Sequence, residues 1–341
     1  MGKPLFKIRE NGKYGFINDE GEVVIEAQYF EAEDFYNGFS RVKFNDKLVP
    51  LDSMGRLLLK HLFNHVSLFE EHLACAKLVS LWGYIDERGT LVIDVQFEDA
   101  KDFSENLAAV RTAGRYGYIN KEADFIIKPQ YDTAGLFKNQ LAPVSINQKY
   151  GYVDKNGVLV IKPQFDSAIS FQGDVAVISA ANVWGLIDKD GKMLLEPQFD
   201  LVKNVSEGEF NDGMAIVSKN RKFGFINHYG QIVVEPVYDQ AGDYGNGLAL
   251  VELEGNFGYV NTNGELVIRH KFEDAGMFSN GLAQVKVKNK WGYINQTGQI
   301  CIEPTFDAVL PFKYGLAWTI SQGRWSYINA SGEIIWREPE S

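Results

Sequence analysis

Hydrophobic and polar residues alternate in short runs along the whole chain, and no segment shows the 3.6-residue period of an amphipathic helix. In residues 281–312 this alternation predicts three strands, of which the second is Lys290–Asn295 and the third covers residues 299–303. Residues 295–298 form a predicted hairpin turn between them, and Pro304 ends the third strand because proline has no N–H to donate. The pattern predicts an all-β fold.

A glycine that follows an aromatic residue marks a repeat, as in KWGYIN at Lys290–Asn295. This marker glycine stands at Gly15, Gly83, Gly117, Gly151, Gly185, Gly224, Gly258 and Gly292, with Val49 and Ser326 in the same position of two further units. Of the nine intervals between these ten positions, eight are 34 residues long and one is 39. Residues 1–341 are therefore predicted to form a single array of about ten repeats, with a five-residue insertion within 201–212.

The turn after the marker is the most regular feature of the repeat. The third residue after the marker is Asn or Asp in all ten units, and glycine follows three residues later in nine of them. This spacing predicts a type I turn that is closed by a residue in the left-handed conformation. Only Ala123, in the fourth unit, replaces that glycine.

The marker glycine leaves a gap on a strand that is apolar on both faces. Trp291 and Tyr293 point to one face, and Gly292 points to the other with Ile294. Since a 34-residue unit cannot bury two faces alone, we expect the units to stack on one another. We expect an aromatic residue of an adjacent unit, such as Phe312, to fill the gap.

The repeated motif resembles that of the bacterial WG-repeat (KWG-repeat) proteins. It reads Lys/Arg-Trp/Tyr-Gly-Tyr/Phe-Ile-Asn/Asp, then Gly, then Val-Ile-x-Pro-x-Phe-Asp, and the resemblance covers essentially all 341 residues. The resemblance implies a tandem β array whose functions are largely undefined, and it brings no catalytic residues with it. The second unit, at Lys47–Asp52, departs from the motif.

Two arrangements of the array are compatible with this pattern. We favour ten three-stranded antiparallel units in an open, curved or superhelical array, because propellers usually have four to eight blades of four strands. The first unit also begins with its own first strand. The alternative is a closed, β-propeller-like toroid.

Charge and motifs exclude several classes of function. The net charge of -11 argues against a nucleic-acid-binding or anionic-membrane surface, and no stretch approaches 18 uninterrupted apolar residues. No apolar signal core is present at the N-terminus, so a cytoplasmic protein is expected. No nucleophile-elbow, Walker A, dinucleotide-binding or HExxH motif occurs, so we expect neither catalysis nor a cofactor. Cys301 occupies a valine position and is expected to be buried.

Two charged columns recur along the repeat. Because each column recurs with the unit, we interpret the acidic one as capping the backbone N–H groups of the turn that follows it, and the basic one as solvated side chains. The acidic column is Glu98, Asp132, Asp166, Asp200, Asp239, Glu273 and Asp307. The basic column is Lys13, Lys47, Arg115, Lys149, Lys222, Lys290 and Arg324.

Unit-specific function is expected where the repetition breaks. The insertion carries Glu207, Glu209 and Asp212, and we predict that it protrudes and helps to bind a partner with a basic surface. The degenerate second unit is followed by His61, His65 and His72, whose spacing does not match a zinc site, so no metal is expected. These six residues are the candidate partner-binding residues.

The sequence predicts a non-enzymatic scaffold that binds a protein or peptide along its repeat surface. The alternative is a glycan-binding module that uses exposed aromatic residues, and an enzyme with a site at the irregular units is less favoured. The burial of four tryptophans separates the first two hypotheses, since core residues should be fully buried and sugar-binding residues half exposed. They are Trp82, Trp184, Trp291 and Trp325.

Overall fold

The computed structural model describes residues 4–45, 47–58, 63–203 and 210–340. These residues form ten successive antiparallel sheets, one for each unit, and contain no helix. The predicted all-β array of tandem antiparallel units is therefore confirmed. We number the units 1 to 10 along the chain and name the strands of a unit A to D, in their order in the sheet. Eight of the ten sheets have four strands rather than three, because in these eight units a strand A precedes strand B.

The strands of each kind have the following bounds. The A strands are β6 (His65–Val66), β10 (Asp99–Ala100), β14 (Thr133–Ala134), β18 (Ser167–Ala168), β22 (Leu201–Lys203), β26 (Gln240–Gly245), β30 (Asp274–Ala275) and β34 (Ala308–Val309). The B strands are β1 (Phe6–Glu10), β4 (Phe39–Phe44), β7 (Leu73–Leu78), β11 (Ala108–Thr112), β15 (Leu141–Ile146), β19 (Val175–Ala180), β23 (Met214–Lys219), β27 (Leu248–Leu253), β31 (Leu282–Val287) and β35 (Leu316–Ser321). The C strands, which carry the marker, are β2 (Lys13–Ile17), β5 (Lys47–Asp52), β8 (Leu81–Asp86), β12 (Arg115–Ile119), β16 (Lys149–Asp154), β20 (Val183–Asp188), β24 (Lys222–Asn227), β28 (Asn256–Asn261), β32 (Lys290–Asn295) and β36 (Arg324–Asn329). The D strands are β3 (Val23–Tyr29), β9 (Leu91–Phe97), β13 (Phe125–Tyr131), β17 (Leu159–Phe165), β21 (Met193–Phe199), β25 (Ile232–Tyr238), β29 (Leu266–Phe272), β33 (Ile300–Phe306) and β37 (Ile334–Arg337).

Two units are incomplete within the described residues. Unit 1 consists of strands B, C and D only. Unit 2 has only strands B and C, and the single bridge between Ala32 and Val42 stands where strand A would pair. The degenerate unit of the sequence is thus also irregular in structure.

The hydrophobic core lies between successive units. Tyr293 and Ile302 of unit 9 pack against Phe312, Ala317 and Ile328 of unit 10. The Tyr293 hydroxyl also donates a hydrogen bond to the backbone carbonyl oxygen of Leu310 at 2.9 Å, so a buried polar group crosses the junction. Each unit therefore completes the core of its neighbour, as the stacking prediction required.

The marker glycine is needed for a different reason from the one that the sequence suggested. A Cβ built on Gly292 would lie 2.4 Å from the carbonyl oxygen of Ile302 and 2.7 Å from the nitrogen of Pro304. Strand D bulges at this point, because its pairing with strand C shifts register between Trp291 and Tyr293, and its backbone then lies directly on the glycine. The expectation that Phe312 fills the gap was wrong, since its ring packs against Tyr293 at 4.9 Å between centroids.

The units without a marker glycine support this explanation. In unit 10, Ser326 pairs with Arg337 in strand D without the shift between residues 325 and 327. In unit 2, no described strand D lies beside Val49. A side chain is therefore present at this position only where the bulge is absent.

The predicted turns are confirmed. In unit 9 the Asn295 side-chain oxygen accepts hydrogen bonds from the N–H groups of Thr297 and Gln299, both at 3.0 Å. Gly298 has a φ of +79° and closes the turn. Ala123 has a φ of +68°, so this alanine adopts the left-handed conformation in place of the usual glycine.

The last unit packs against the first. Phe6, Ile8 and Ile17 of unit 1 share a core cluster with Tyr327 and Trp336 of unit 10. The same junction holds a salt bridge of 2.9 Å between Arg9 Nε and Glu338 Oε1, which lies on a chain segment 329 residues away.

Units 10 and 1 meet in the same register as the other neighbouring units. A Cβ on Gly21 of unit 1 would lie 2.5 Å from the Ile335 carbonyl oxygen of unit 10. The equivalent approach of Gly264 to the Val233 carbonyl, between units 8 and 7, is 2.7 Å. Of the two arrangements that the sequence left open, these contacts are those of the closed toroid rather than of the favoured open array.

We expect Gly292→Ala to destabilise the protein by more than about 2 kcal/mol, because its methyl group would displace the bulged backbone of strand D. Chemical denaturation of the variant measures the loss. The matched control is Ser326→Ala at the same position of unit 10, which should unfold close to wild type. An unchanged Gly292→Ala would refute the bulge explanation.

We expect Ala123→Gly to stabilise the protein by about 0.5 kcal/mol, since left-handed backbone strains alanine more than the extra freedom of glycine costs in the unfolded chain. The gain is small because the Ala123 side chain also packs against a core cluster. A thermal melt compares the variant with wild type. A lower midpoint would mean that the lost methyl contact outweighs the relieved strain.

Candidate functional site

The two charged columns of the repeat pair with each other. Lys149 Nζ lies 2.5 Å from Asp166 Oδ1, and the other oxygen of Asp166 accepts a hydrogen bond from the Ala181 N–H at 2.8 Å. The same ion pair joins Arg115 to Asp132, Lys222 to Asp239 and Lys290 to Asp307. The lysine hydrogen bond holds the pKa of Asp166, Asp239 and Asp307 below its usual value. In these four units the acidic column therefore offers no free carboxylate rail to a partner.

The acidic column caps backbone N–H groups, as we interpreted it, but at a different turn from the one expected. Asp307 accepts from the N–H of Gln322, fifteen residues later, and Asp239 accepts likewise from Glu254. These carboxylates cap the hairpin turn between strands B and C, rather than the turn that directly follows them.

The histidine group lies in separate environments. His61 is outside the described residues. The His65 ring meets Trp82 edge-on, with centroids 5.5 Å apart, and burial together with the charge of Arg41 lowers the pKa of His65. His72 is 85% exposed and places Nδ1 2.9 Å from Glu87 Oε1. His65 and His72 each stay candidates for partner contact.

The two cysteines differ from each other. Cys75 is buried, its sulfur lies 3.3 Å from Asp102 Oδ1, and burial raises the pKa of its thiol. Cys301 is exposed, so the expectation that it is buried was wrong. It lies near the start of strand D, where residues 300 and 301 both face solvent. Among the described residues, no group of three or more His, Cys, Asp or Glu side chains could hold a metal ion.

Along the chain, the insertion falls between strands A and B of unit 7. Glu207 and Glu209 are outside the described residues. Asp212 Oδ2 accepts a hydrogen bond of 2.7 Å from the Gly247 N–H in the equivalent loop of unit 8. Glu71 and Glu105 form the same contact from units 3 and 4. Asp212 therefore ties neighbouring loops together, and its predicted role in partner binding stays a prediction.

The loop of unit 6 has no side chain at the position that makes this tie, and a groove lies beside it. Gly173 of unit 6 stands where Glu71, Glu105 and Asp212 stand in their units, and it has no side chain to reach the next loop. The groove between the loops of units 6 and 7 has a volume of about 750 Å³. Its lining includes Phe171, Gln172, Asp174, Phe210, His228 and Tyr229. We call it the 6–7 groove.

The 6–7 groove combines aromatic surface with polar groups. Tyr229 is 65% exposed, and its ring lies 3.9 Å from that of His228. The side-chain oxygen of Gln172 is buried and has no hydrogen-bond partner among the described residues. Asp174 pairs with Lys189 at 2.8 Å. An unsatisfied acceptor beside exposed rings suits a ligand that brings an N–H donor and an apolar side chain.

Sequence reasoning pointed to the insertion but missed Tyr229. A signal was present, because the C–D turn of unit 7 reads Asn-His-Tyr-Gly and is the one turn of its kind with aromatic side chains. The gap left by Gly173 could not be found in this way, since it depends on which loops are neighbours.

The tryptophan criterion gives an intermediate result. Trp82, Trp184, Trp291 and Trp325 are all half-buried. Trp82 and Trp184 pack against core clusters of their own units. These positions are neither wholly core nor open binding platforms, and the glycan alternative stays a hypothesis.

The fold has similar solved structures at low sequence identity. The crystal structure of a eukaryotic initiation factor matches with a TM-score of 0.60 and 11% identity over 99% of this chain and 96% of that chain. Hsv2p from Kluyveromyces lactis matches at 12% identity over 71% of this chain and 97% of its own, with a TM-score of 0.36. PorZ from Porphyromonas gingivalis matches at 12% identity over 100% of this chain and 52% of its own, with a TM-score of 0.34. At such identities the first match shows a shared fold alone.

No curated protein is significantly similar to this chain. The described residues contain no helix of the length and apolarity needed to cross a membrane.

The family follows from the repeat itself. A family model described as "WG containing repeat" matches eight segments of the chain. They are residues 14–47, 82–116, 116–150, 150–180, 184–223, 223–257, 257–291 and 291–320. The matches cover most of the sequence and leave out the degenerate stretch from 48 to 81. The chain belongs to the family of WG-containing repeat proteins.

Proposed function

We propose that this chain is a non-enzymatic repeat scaffold that binds a protein or peptide partner in the cytoplasm. The observation that carries the proposal is the 6–7 groove, which lies at the gap left by Gly173 and next to the insertion. A partner gains most from a concave site that offers aromatic anchors and an unsatisfied polar group. Tyr229 and the Gln172 oxygen supply these two features.

The charge of the chain favours a partner with a basic surface. The net charge is -11, and the sequence of the insertion, whose described residue Phe210 lines the groove, contributes Glu207 and Glu209 to it. Exposed charges of this kind mainly speed association and make it sensitive to salt, since the Debye length is about 8 Å at physiological ionic strength. The same charge disfavours a nucleic-acid ligand.

The test is affinity capture from a lysate of the source organism, followed by mass spectrometry. Two variants are compared with wild type: Tyr229→Ala, and a deletion of five residues within 201–212 that restores the repeat period. The matched control is Phe30→Ala, because Phe30 is 72% exposed but lies on a D–A connector, at the end of the sheets opposite the A–B loops.

We expect one partner to be lost or strongly reduced with both variants, kept with Phe30→Ala, and released by raised salt. Thermal melts close to wild type would show that the variants are folded. Equal capture by all four proteins would refute the groove as the binding surface. Retention of a glycan-coated resin, blocked by free sugar and lost in Tyr229→Ala, would favour the glycan alternative instead.

A further inference from the structure

The junction between units 10 and 1 differs from the other junctions in one respect. Strand B of unit 1, β1, pairs with β2 on one edge, and no described strand pairs with its other edge. Units 3 to 10 have a strand A at that edge, and unit 2 has a bridge there. The edge without a described partner strand therefore lies at the junction of units 10 and 1, which we call the seam, beside Tyr327 of unit 10.

Strand A and the residue that follows it have a fixed place between units. In unit 10 the Leu310 N–H donates to the Trp318 carbonyl oxygen of its own strand B at 2.9 Å. The Leu310 carbonyl oxygen accepts from the Tyr293 hydroxyl of unit 9 at 2.9 Å. One backbone residue thus links a strand B to the tyrosine of the preceding unit. Lys101, Gly135, Ile169 and Gly276 make the same two hydrogen bonds.

At the seam, the donor and the acceptor meet without the residue that normally lies between them. The Tyr327 hydroxyl donates directly to the Lys7 carbonyl oxygen at 2.8 Å. Tyr327 corresponds to Tyr293, and Lys7 corresponds to Trp318, so both partners of the residue that would follow a strand A are present. An inserted peptide residue would exchange this one hydrogen bond for two.

An apolar cleft of about 500 Å³ occupies the same place. Leu5, Lys7, Leu310, Phe312, Trp318 and Trp325 are among the residues that line it. Units 8 and 9 have Leu250 and Gln284 where unit 10 has Trp318. Three of the six tryptophans in the chain, Trp318, Trp325 and Trp336, lie at this one junction. We call this space the seam cleft.

We propose that the seam cleft binds an extended peptide, which pairs with β1 in the place of the strand A that is not found among the described residues of unit 1. Its backbone N–H would donate to Lys7, and its carbonyl would accept from Tyr327, as in β-strand addition. The other units show which side chains this place accepts, since their A segments read Ala or Val, two variable residues, then Phe or Tyr. Examples are Ala100 to Phe103, Ala134 to Phe137, Ala168 to Phe171, Ala275 to Phe278 and Val309 to Phe312.

Phe6 modifies this preference. In units 3 to 10 an alanine stands at its position, and in unit 2 a serine does, which leaves room for the aromatic residue of the A segment. In unit 1 the Phe6 ring takes that room and meets Tyr327 edge-on, with centroids 5.5 Å apart. The small apolar residue and the backbone of the peptide therefore provide recognition in the wild-type protein, and the peptide aromatic contributes little.

The seam cleft is separate from the 6–7 groove, since the two share no lining residue. A negative result in the lysate capture would count against the 6–7 groove and not against the seam cleft. A negative result in the peptide titration would count against the seam cleft and not against the 6–7 groove. The inference adds a second binding site and states the chemistry of its ligand.

The probe is a synthetic peptide with the sequence of residues 273–280, EDAGMFSN, which contains no tryptophan. Titration into the full chain is followed by tryptophan fluorescence and by calorimetry. We expect saturable binding of one peptide per chain. The matched control peptide carries Ala275→Lys, because Ala275 packs against a core cluster in unit 9 and a lysine at this place would have to bury its charge. We expect this control to bind at least about tenfold more weakly.

A double-mutant cycle tests the role of Phe6. Phe6→Ala restores the alanine of the other units and should tighten binding of the parent peptide by about tenfold, because the peptide ring can then enter the vacated space. The peptide change Phe278→Ala should cancel that gain, yet alter binding to wild type by less than about threefold. Should Phe6→Ala fail to fold, Tyr327→Phe provides the second variant. It keeps the ring but removes the donor, and should weaken binding several-fold.

Three outcomes would overturn the proposal. One is the absence of saturable binding to wild type. Another is equal binding of the parent and Ala275→Lys peptides, since an unspecific apolar contact would not distinguish them. The third is a stable dimer in sedimentation that excludes the peptide, which would make a second copy of the chain the occupant of the cleft.

Discussion

The junction between units is the interaction on which the rest of this protein depends. A two-faced sheet of three or four short strands cannot bury both of its faces, so each unit needs a neighbour on either side. The Tyr293 ring packs on Phe312, and its hydroxyl satisfies the Leu310 carbonyl, so one side chain supplies both apolar burial and a buried hydrogen bond. Because the junction is repeated along the chain, each unit is stabilised by the units before and after it. At the seam, Tyr327 closes the ring with the same two kinds of contact.

The marker glycine serves the unit and not the junction. Its bare Cα lets the bulged strand D rest on strand C, and the bulge bends strand D across its partner. The two positions that depart from glycine, Val49 and Ser326, are those where strand D is missing from the described residues or pairs without this bulge. The repeated sequence signature thus records a local backbone contact, whereas the contacts that build the ring are made by residues on either side of it.

The sequence predicted the features that local chemistry determines. The Asn295 turn and the left-handed backbone of Ala123 follow from residues within seven positions of each other. The A strands were missed because most of them are two residues long, which is too short for an alternating pattern. The sequence pattern did not favour the closed toroid over the open array, because closure depends on pairs such as Tyr327 and Lys7, which are 320 residues apart. The candidate site was predicted only as far as the insertion, since the gap at Gly173 depends on which loops lie side by side.

Several departures from the repeat lie together at the seam. Their position indicates that they compensate for the strand A not found in unit 1, and that they are not random sequence changes. Phe6 replaces an alanine, Trp318 replaces a smaller or more polar side chain, and Tyr327 has exchanged its usual acceptor for Lys7. Random drift would spread such changes over many junctions, but these face a single vacant strand edge. The large side chains fill part of the space that a strand A would fill, and the Tyr327 hydroxyl satisfies the Lys7 carbonyl oxygen. The remaining cleft is apolar and lies beside a free edge, so the residues that stabilise closure of the ring also shape a site for an added strand.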